Sequence, residues 1–148
     1  MRIYFAAPLD SEYCRESNER MARDLAAMGH EVYLPQAHGV GDEILKGLKV
    51  GSSEYEEKRK EVWKQLYELD MVGLKCCDCV IAISTKEDRH LSAGMIWEMG
   101  WASGNGKLVL LCTQNVERTM DYNLMVMCSV DKWFGTWSEL IEWVRRAS

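Results

Sequence analysis

Residues 79–83 read Cys-Val-Ile-Ala-Ile, five apolar side chains in succession. A strand with one wet face alternates polar and apolar residues, so an unbroken run needs cover on both faces, as in a parallel sheet flanked by helices. Residues 2–7 (RIYFAA) and 107–112 (KLVLLC) share this character, and a shorter run at 31–34 (EVYL) is ended by Pro35. Between the strands the spacing changes to that of helices. Residues 11–28 carry Cys14, Met21, Leu25 and Met28 on one stripe before Gly29 stops them, and 54–75 carry Trp63, Leu66, Tyr67 and Leu74 with Asp70 on the same stripe. A third helix is expected over 91–104, then a short helix at 120–127, a short strand at 129–133 and a closing helix at 137–146. Strands alternating with helices predict one α/β domain over residues 1–148, a doubly wound parallel sheet. Such sheets take ligands beyond the carboxyl ends of their strands, where strand order reverses.

Charge and length narrow the partners. The formal net charge is −5 with no basic stripe, which argues against a nucleic-acid polymer and for a small ligand. No stretch approaches the roughly 20 apolar residues that span a bilayer. The apolar run at 3–9 is too short for a signal segment, so a cytoplasmic protein with no membrane partner is expected. Six cysteines include a Cys-x-x-Cys at 76–79, but no second pair stands at metal spacing. Cys77 and Cys79, where helix passes into strand, read as small buried hydrophobes, and no metal is expected. The stretch from 39 to 51 holds Gly39, Gly41, Gly47 and Gly51. A connection that long is either a lid over a site or a partly helical surface excursion.

The candidate chemistry lies in two acids on apolar stripes. Glu98 is the one acid of the 91–104 helix and shares its stripe with Gly94, Met95, Trp101 and Ala102, where contact with the sheet is expected. A carboxylate there costs several kcal/mol unless it is paired or used. Asp70 repeats the pattern one helix earlier, near a helix C-terminus that disfavours negative charge. Either acid could instead be satisfied by a buried tyrosine, arginine or backbone donor. Tyr4 on the first strand is a natural donor to Glu98. Asp10 either faces a ligand or caps the following helix, with the cap favoured. Ser92 opens the Glu98 helix, and the N–H groups of Ala93 and Gly94 behind it could hold a hydroxyl or phosphate. Gly100 would let a backbone or ligand approach closely.

Taken together, the first-strand IYFAAP, the Asp70 helix running into CVIAI, the segment SAGMIWEMGWASGNGK and the later Asn123-Leu124-Met125 resemble the nucleoside 2-deoxyribosyltransferase family. The resemblance runs in order along nearly the whole chain. Its most specific parts are the small-x-Gly-x-x-x-Glu-x-Gly pattern that includes Glu98 and Gly100, and the Asn-Leu-Met motif. It implies a flavodoxin-like fold of about five parallel strands with helices on both faces. It also implies exchange of bases on 2′-deoxynucleosides by a retaining double displacement without a cofactor. By that resemblance Glu98 is the nucleophile, Tyr4 orients it, and Asp70 passes a proton to and from the base. Ser92, Gly94, Ala6 and Asp10 join the substrate-binding positions. Asn123 and Met125 match residues that reach a neighbouring subunit's site, so a homo-oligomer with a shared site is implied.

One position departs from the transferase pattern. Six residues before the nucleophile, transferases of the family commonly carry aspartate, whereas this chain has Ser92. A serine there is similar to the related 2′-deoxynucleoside 5′-monophosphate N-glycosidases, in which water takes the sugar. Against that alternative, the loop after the first strand is Pro8-Leu9-Asp10 rather than serine and arginine, and Asp10 would repel a phosphate. Asn123 also suits an unphosphorylated sugar, so the transferase is placed first and the hydrolase second. A third reading, a nucleotide-binding module without chemistry, leaves the costly setting of Glu98 without a purpose.

Overall fold

The run at 79–83 becomes the central strand of a five-stranded, all-parallel sheet in the computed structural model of the chain, which describes residues 1–9, 11–38, 44–84, 91–113 and 123–147. In chain order the elements are β1 (Arg2–Ala6), α1 (Glu12–Ala27), β2 (Glu31–Tyr33), a 3₁₀ turn (Pro35–His38), α2 (Ser53–Cys76) and β3 (Cys79–Ile83). Then follow α3 (Ala93–Gly104), β4 (Leu108–Cys112), α4 (Leu124–Ser129), β5 (Lys132–Phe134) and α5 (Trp137–Ala147). The strand order is β2-β1-β3-β4-β5, so the chain first winds outward from β1 and then reverses through β3. This is the doubly wound arrangement expected, with its switch point between β1 and β3.

All five residues of β3 are buried, which is why that strand has no polar alternation. The period of two in each strand sorts side chains between two helical layers. Ile3, Phe5 and Ile81 pack with Met21 and Leu25 of α1 and Leu140 and Val144 of α5. Tyr4, Ala6, Val80 and Ala82 face the other way, onto Leu74 of α2 and Met95, Met99 and Ala102 of α3. The side on which Tyr4 lies is therefore the side of both candidate acids. Each helix on that side begins with a side-chain cap: Ser52 accepts from the Tyr55 N–H, Ser92 from the Met95 N–H, and Asn123 from the Met125 N–H.

Three expectations shift. The strand expected over 129–133 starts at Lys132, because α4 runs on through Ser129. The α2 stripe splits: Leu74 is in the core, while Trp63 and Tyr67 are 56% and 55% exposed, since α2 is seated on the sheet through Val62, Gly73 and Leu74. The buried line of α3 is Met95, Met99 and Ala102, with Glu98 and Trp101 half-buried on its flank and Gly94 exposed. Of the glycine-rich connection, residues 39–43 lie outside the described residues, as does Asp10. The described remainder, 44–51, contains a helical turn at 44–45 followed by tight turns at the left-handed Gly47 and Gly51. Cys77 and Cys79 are buried at the α2–β3 junction, as expected of small hydrophobes. Among the described residues, no helix is long and apolar enough to cross a membrane.

Candidate active site

Tyr4 stands one strand from the sheet edge with its ring wholly buried, and its hydroxyl donates to Oε1 of Glu98 at 2.7 Å. The contact joins β1 to the flank of α3, so the expected contact of Glu98 with the sheet is made through its carboxyl. Burial pushes the Glu98 carboxyl up to about 7; the Tyr4 bond opposes that rise and the nearby Asp70 charge adds to it. Burial and the neighbouring Glu98 charge raise the Tyr4 hydroxyl far above its ordinary range, so Tyr4 serves as a donor only.

The second acid has the tyrosine partner that the sequence left open. Tyr33 of β2 donates to Oδ1 of Asp70 at 3.3 Å. The parallel register sets Tyr4 beside Tyr33, and in-register neighbours share a sheet face. Their rings stack at 5.4 Å between centroids, inclined by 12°. The outer face of Tyr33 is covered in turn by His38, at 4.6 Å and 15°. Burial raises the Asp70 carboxyl, while the Tyr33 bond and the His38 charge pull it down. Sequence reasoning missed Tyr33 and His38. The available signal was that Tyr4 and Tyr33 occupy like positions in two strands that must pair if the sheet is doubly wound.

Two hollows meet at these acids. One of about 320 Å³ is walled by Trp63, Tyr67 and Trp97 and has Asp70, Glu98 and Gly94 in its lining. The other, of about 240 Å³, lies at the carboxyl end of β1 against Ala6, Pro8, Pro35 and Ser92, and shares Asp70, Glu98 and Gly94 with the first. An aromatic-sided chamber and a smaller one thus open on the same carboxylates, at the switch point of the sheet. A further hollow of about 330 Å³ between α1 and β2 is as large, but the charged groups in its lining, Glu19 and Arg23, are exposed surface side chains. Volume alone does not mark the site; the acids held in apolar walls do.

The structure brings together Glu98, Asp70, Tyr4, Ser92, Gly94 and Ala6. The Ser92 hydroxyl accepts from the Met95 N–H at 3.2 Å and so caps α3 while facing the smaller chamber. Asn123 and Met125 stand apart: Asn123 Oδ1 accepts from the Met125 N–H at 2.8 Å, and Met125 is 76% exposed beside a separate groove formed with Ile96 and Gly100. Gly100 has open space where its Cβ would lie, so the close backbone approach expected there does not occur among the described residues. Among the described residues, no three His, Cys, Asp or Glu side chains are grouped to hold a metal ion.

Residues 3–135 match the family model described as nucleoside 2-deoxyribosyltransferase. The fold is also similar to solved structures of distant sequence. A 2-deoxyribosyltransferase from Bacillus psychrosaccharolyticus superposes with a TM-score of 0.65 at 23% identity, over 95% of this chain and 90% of that one. A 2-desoxiribosyltransferase from Leishmania mexicana gives 0.67 at 15% identity, over 97% and 96%. The CMP N-glycosidase BcmB of Clostridium botulinum gives 0.58 at 19% identity, over 97% and 98%. No curated protein matches the chain significantly in sequence.

Proposed function

The chain belongs to the nucleoside 2-deoxyribosyltransferase family, and we propose that it exchanges nucleobases on 2′-deoxynucleosides, with Glu98 as the nucleophile. The observation that carries this reading is the Glu98 carboxylate, held by a fully buried tyrosine and lining two chambers that it shares with a second acid. The aromatic walls of Trp63, Tyr67 and Trp97 suit the flat face of a base. The chamber at Ala6 and Ser92 suits the sugar.

Tyr4 holds Oε1, so attack on the anomeric carbon falls to Oε2. As the C1′–N bond breaks, its electron pair goes to the base, which takes a proton from the Asp70 carboxyl. The oxocarbenium-like sugar is stabilised by the Glu98 charge and then trapped as a deoxyribosyl ester. In the second half, a nitrogen of an incoming base attacks C1′ from the opposite side and loses its proton to the Asp70 carboxylate. Glu98 departs as a carboxylate. Two inversions give net retention, and no cofactor enters. Because attack needs the ionised form, the rise of Glu98 to about 7 places the acid limb of activity near neutrality.

Ser92 supports a second reading, hydrolysis of a 2′-deoxynucleoside or its 5′-monophosphate. Its hydroxyl and the first-turn N–H groups of α3 border the sugar-sized chamber, and first-turn N–H groups favour anions. Chromatography of the purified protein with 2′-deoxynucleosides and, separately, their 5′-monophosphates, each with and without a second free base, separates the two. A new nucleoside formed only with the second base establishes exchange. Free base released without an acceptor establishes hydrolysis, and silence on every substrate returns the protein to a binding module. For a site shared between subunits, the support is the family motif at Asn123 and Met125 together with their exposure. The homo-oligomer is accordingly part of this reading.

A further inference from the structure

We propose that Tyr33 is a positioning residue for Asp70, and that Gly73 is there to seat it. The inference rests on the functional reading above, in which Asp70 carries the proton of the base.

Three observations converge on Tyr33. Its hydroxyl donates to one oxygen of Asp70, Oδ1, leaving Oδ2 as the oxygen to face a base nitrogen. Its ring is clamped between Tyr4 and His38, with both pairs nearly parallel. A Cβ at position 73 would lie 2.6 to 2.8 Å from ring carbons of Tyr33, closer than real side chains come, so glycine is required one helical turn beyond Asp70. Glycine inside a helix costs about 1 kcal/mol relative to alanine. Here it lets α2 approach β2 closely enough for a tyrosine on the sheet to reach an acid on the helix.

The stack therefore links the two carboxylates through rings, beside the charge coupling between them. Tyr4 serves Glu98, Tyr33 serves Asp70, and each ring fixes the other's plane. The ionisable groups that face Asp70 are Tyr33 from β2, His38 from the 3₁₀ turn, Tyr4 from β1 and Glu98 from α3. Removing the Tyr33 hydroxyl takes away a hydrogen bond that favours the ionised form, which moves the Asp70 titration upward.

The test uses Tyr33→Phe, which keeps the ring and its stacking, and Gly73→Ala, which keeps the hydroxyl and displaces the ring. Each is compared with the parent protein by carbon NMR titration of labelled aspartate carboxyls, by the pH dependence of kcat and KM on a 2′-deoxynucleoside, and by thermal melting. For Tyr33→Phe the expected result is an upward shift of the Asp70 midpoint and a loss of about tenfold in kcat, since misplacing a reacting group acts on the chemical step. KM stays within about twofold, because the tyrosine does not touch substrate. Gly73→Ala gives the same pattern with an intact hydroxyl. An unmoved Asp70 midpoint, or a change in KM alone, overturns the proposal. A purely structural role would lower the melting temperature without moving the titration. A parent protein inactive on every 2′-deoxynucleoside removes the functional reading, and the titration still decides whether Tyr33 governs Asp70.

Discussion

Tyr4 reaches Glu98 at 2.7 Å from a strand with neighbours on both sides, whereas Tyr33 reaches Asp70 at 3.3 Å from the strand at the sheet edge. The same pair of side chains is thus built twice, tightly and loosely. Tyr4 is fixed by the core and has one geometry. Tyr33 lies on a three-residue edge strand and depends on two added supports, the His38 ring and the space left by Gly73. The difference fits the two tasks proposed for these acids. A nucleophile has to be aimed at one carbon, so a short bond from a buried donor suits it. An acid that gives a proton to one base and takes it from another works better with a longer, weaker restraint.

Substitutions at the tight pair have the largest expected effects. Glu98→Gln keeps an acceptor for Tyr4 but cannot form the sugar ester, and turnover should fall on the order of a thousandfold or more while the fold is kept. Asp70→Asn comes next: loss of general acid–base help lowers kcat by about a hundredfold or more on bases that need protonation to leave. Steady-state kinetics on purified variants check both, and a larger loss for Asp70→Asn than for Glu98→Gln would reverse the assignment of roles. Tyr4→Phe is milder. Removing the bond that lowers the Glu98 pKa should move the acid limb of kcat/KM above its place near 7, and an unmoved limb would separate that limb from Glu98.

The smallest effect is on stability, and its sign distinguishes a functional carboxylate from a structural one. Burial raises Glu98 from the ordinary 4.5 to about 7, so the folded state holds its proton where the unfolded chain has lost it. The stability contributed by the neutral group is fully present below about 4.5 and is lost as the pH rises to about 7. Glu98→Gln has no such loss. Its advantage over the parent should grow across that window, level off above it, and reach at most about 3 kcal/mol. Melting curves of the two proteins from pH 4 to 8 measure this, and a Glu98→Gln protein that is less stable at pH 8 would make Glu98 a structural residue.

Much of this comparison was legible in the sequence, for physical reasons that differ between the two pairs. The unbroken runs at 79–83 and 108–112 require burial on both faces, and that requirement gave the parallel sheet. Glu98 stood out because no neighbour within its helix explains a carboxylate on an apolar stripe, and Tyr4 followed from its place on an inner strand. Tyr33 was legible only as a neighbour of Tyr4 across paired strands; its reach to Asp70 and the place of Gly73 were not. Both depend on the distance between a helix and an edge strand, which no local pattern encodes. The sequence sets Trp63 and Tyr67 on one stripe with Leu74 but does not place them in or out of the core; the helix carries them past the sheet and leaves them as cavity walls. The start of β5 was misplaced for a local reason: α4 extends through Ser129 before the chain turns into the sheet.

Exchange by double displacement requires a bond between Glu98 and the sugar. The direct measurement is intact-mass and peptide mass spectrometry of protein quenched during turnover of a 2′-deoxynucleoside with no acceptor base. One deoxyribosyl unit on the peptide carrying Glu98, absent from Glu98→Gln, is the predicted result. A sugar found on another residue, or undiminished turnover by Glu98→Gln, would contradict it.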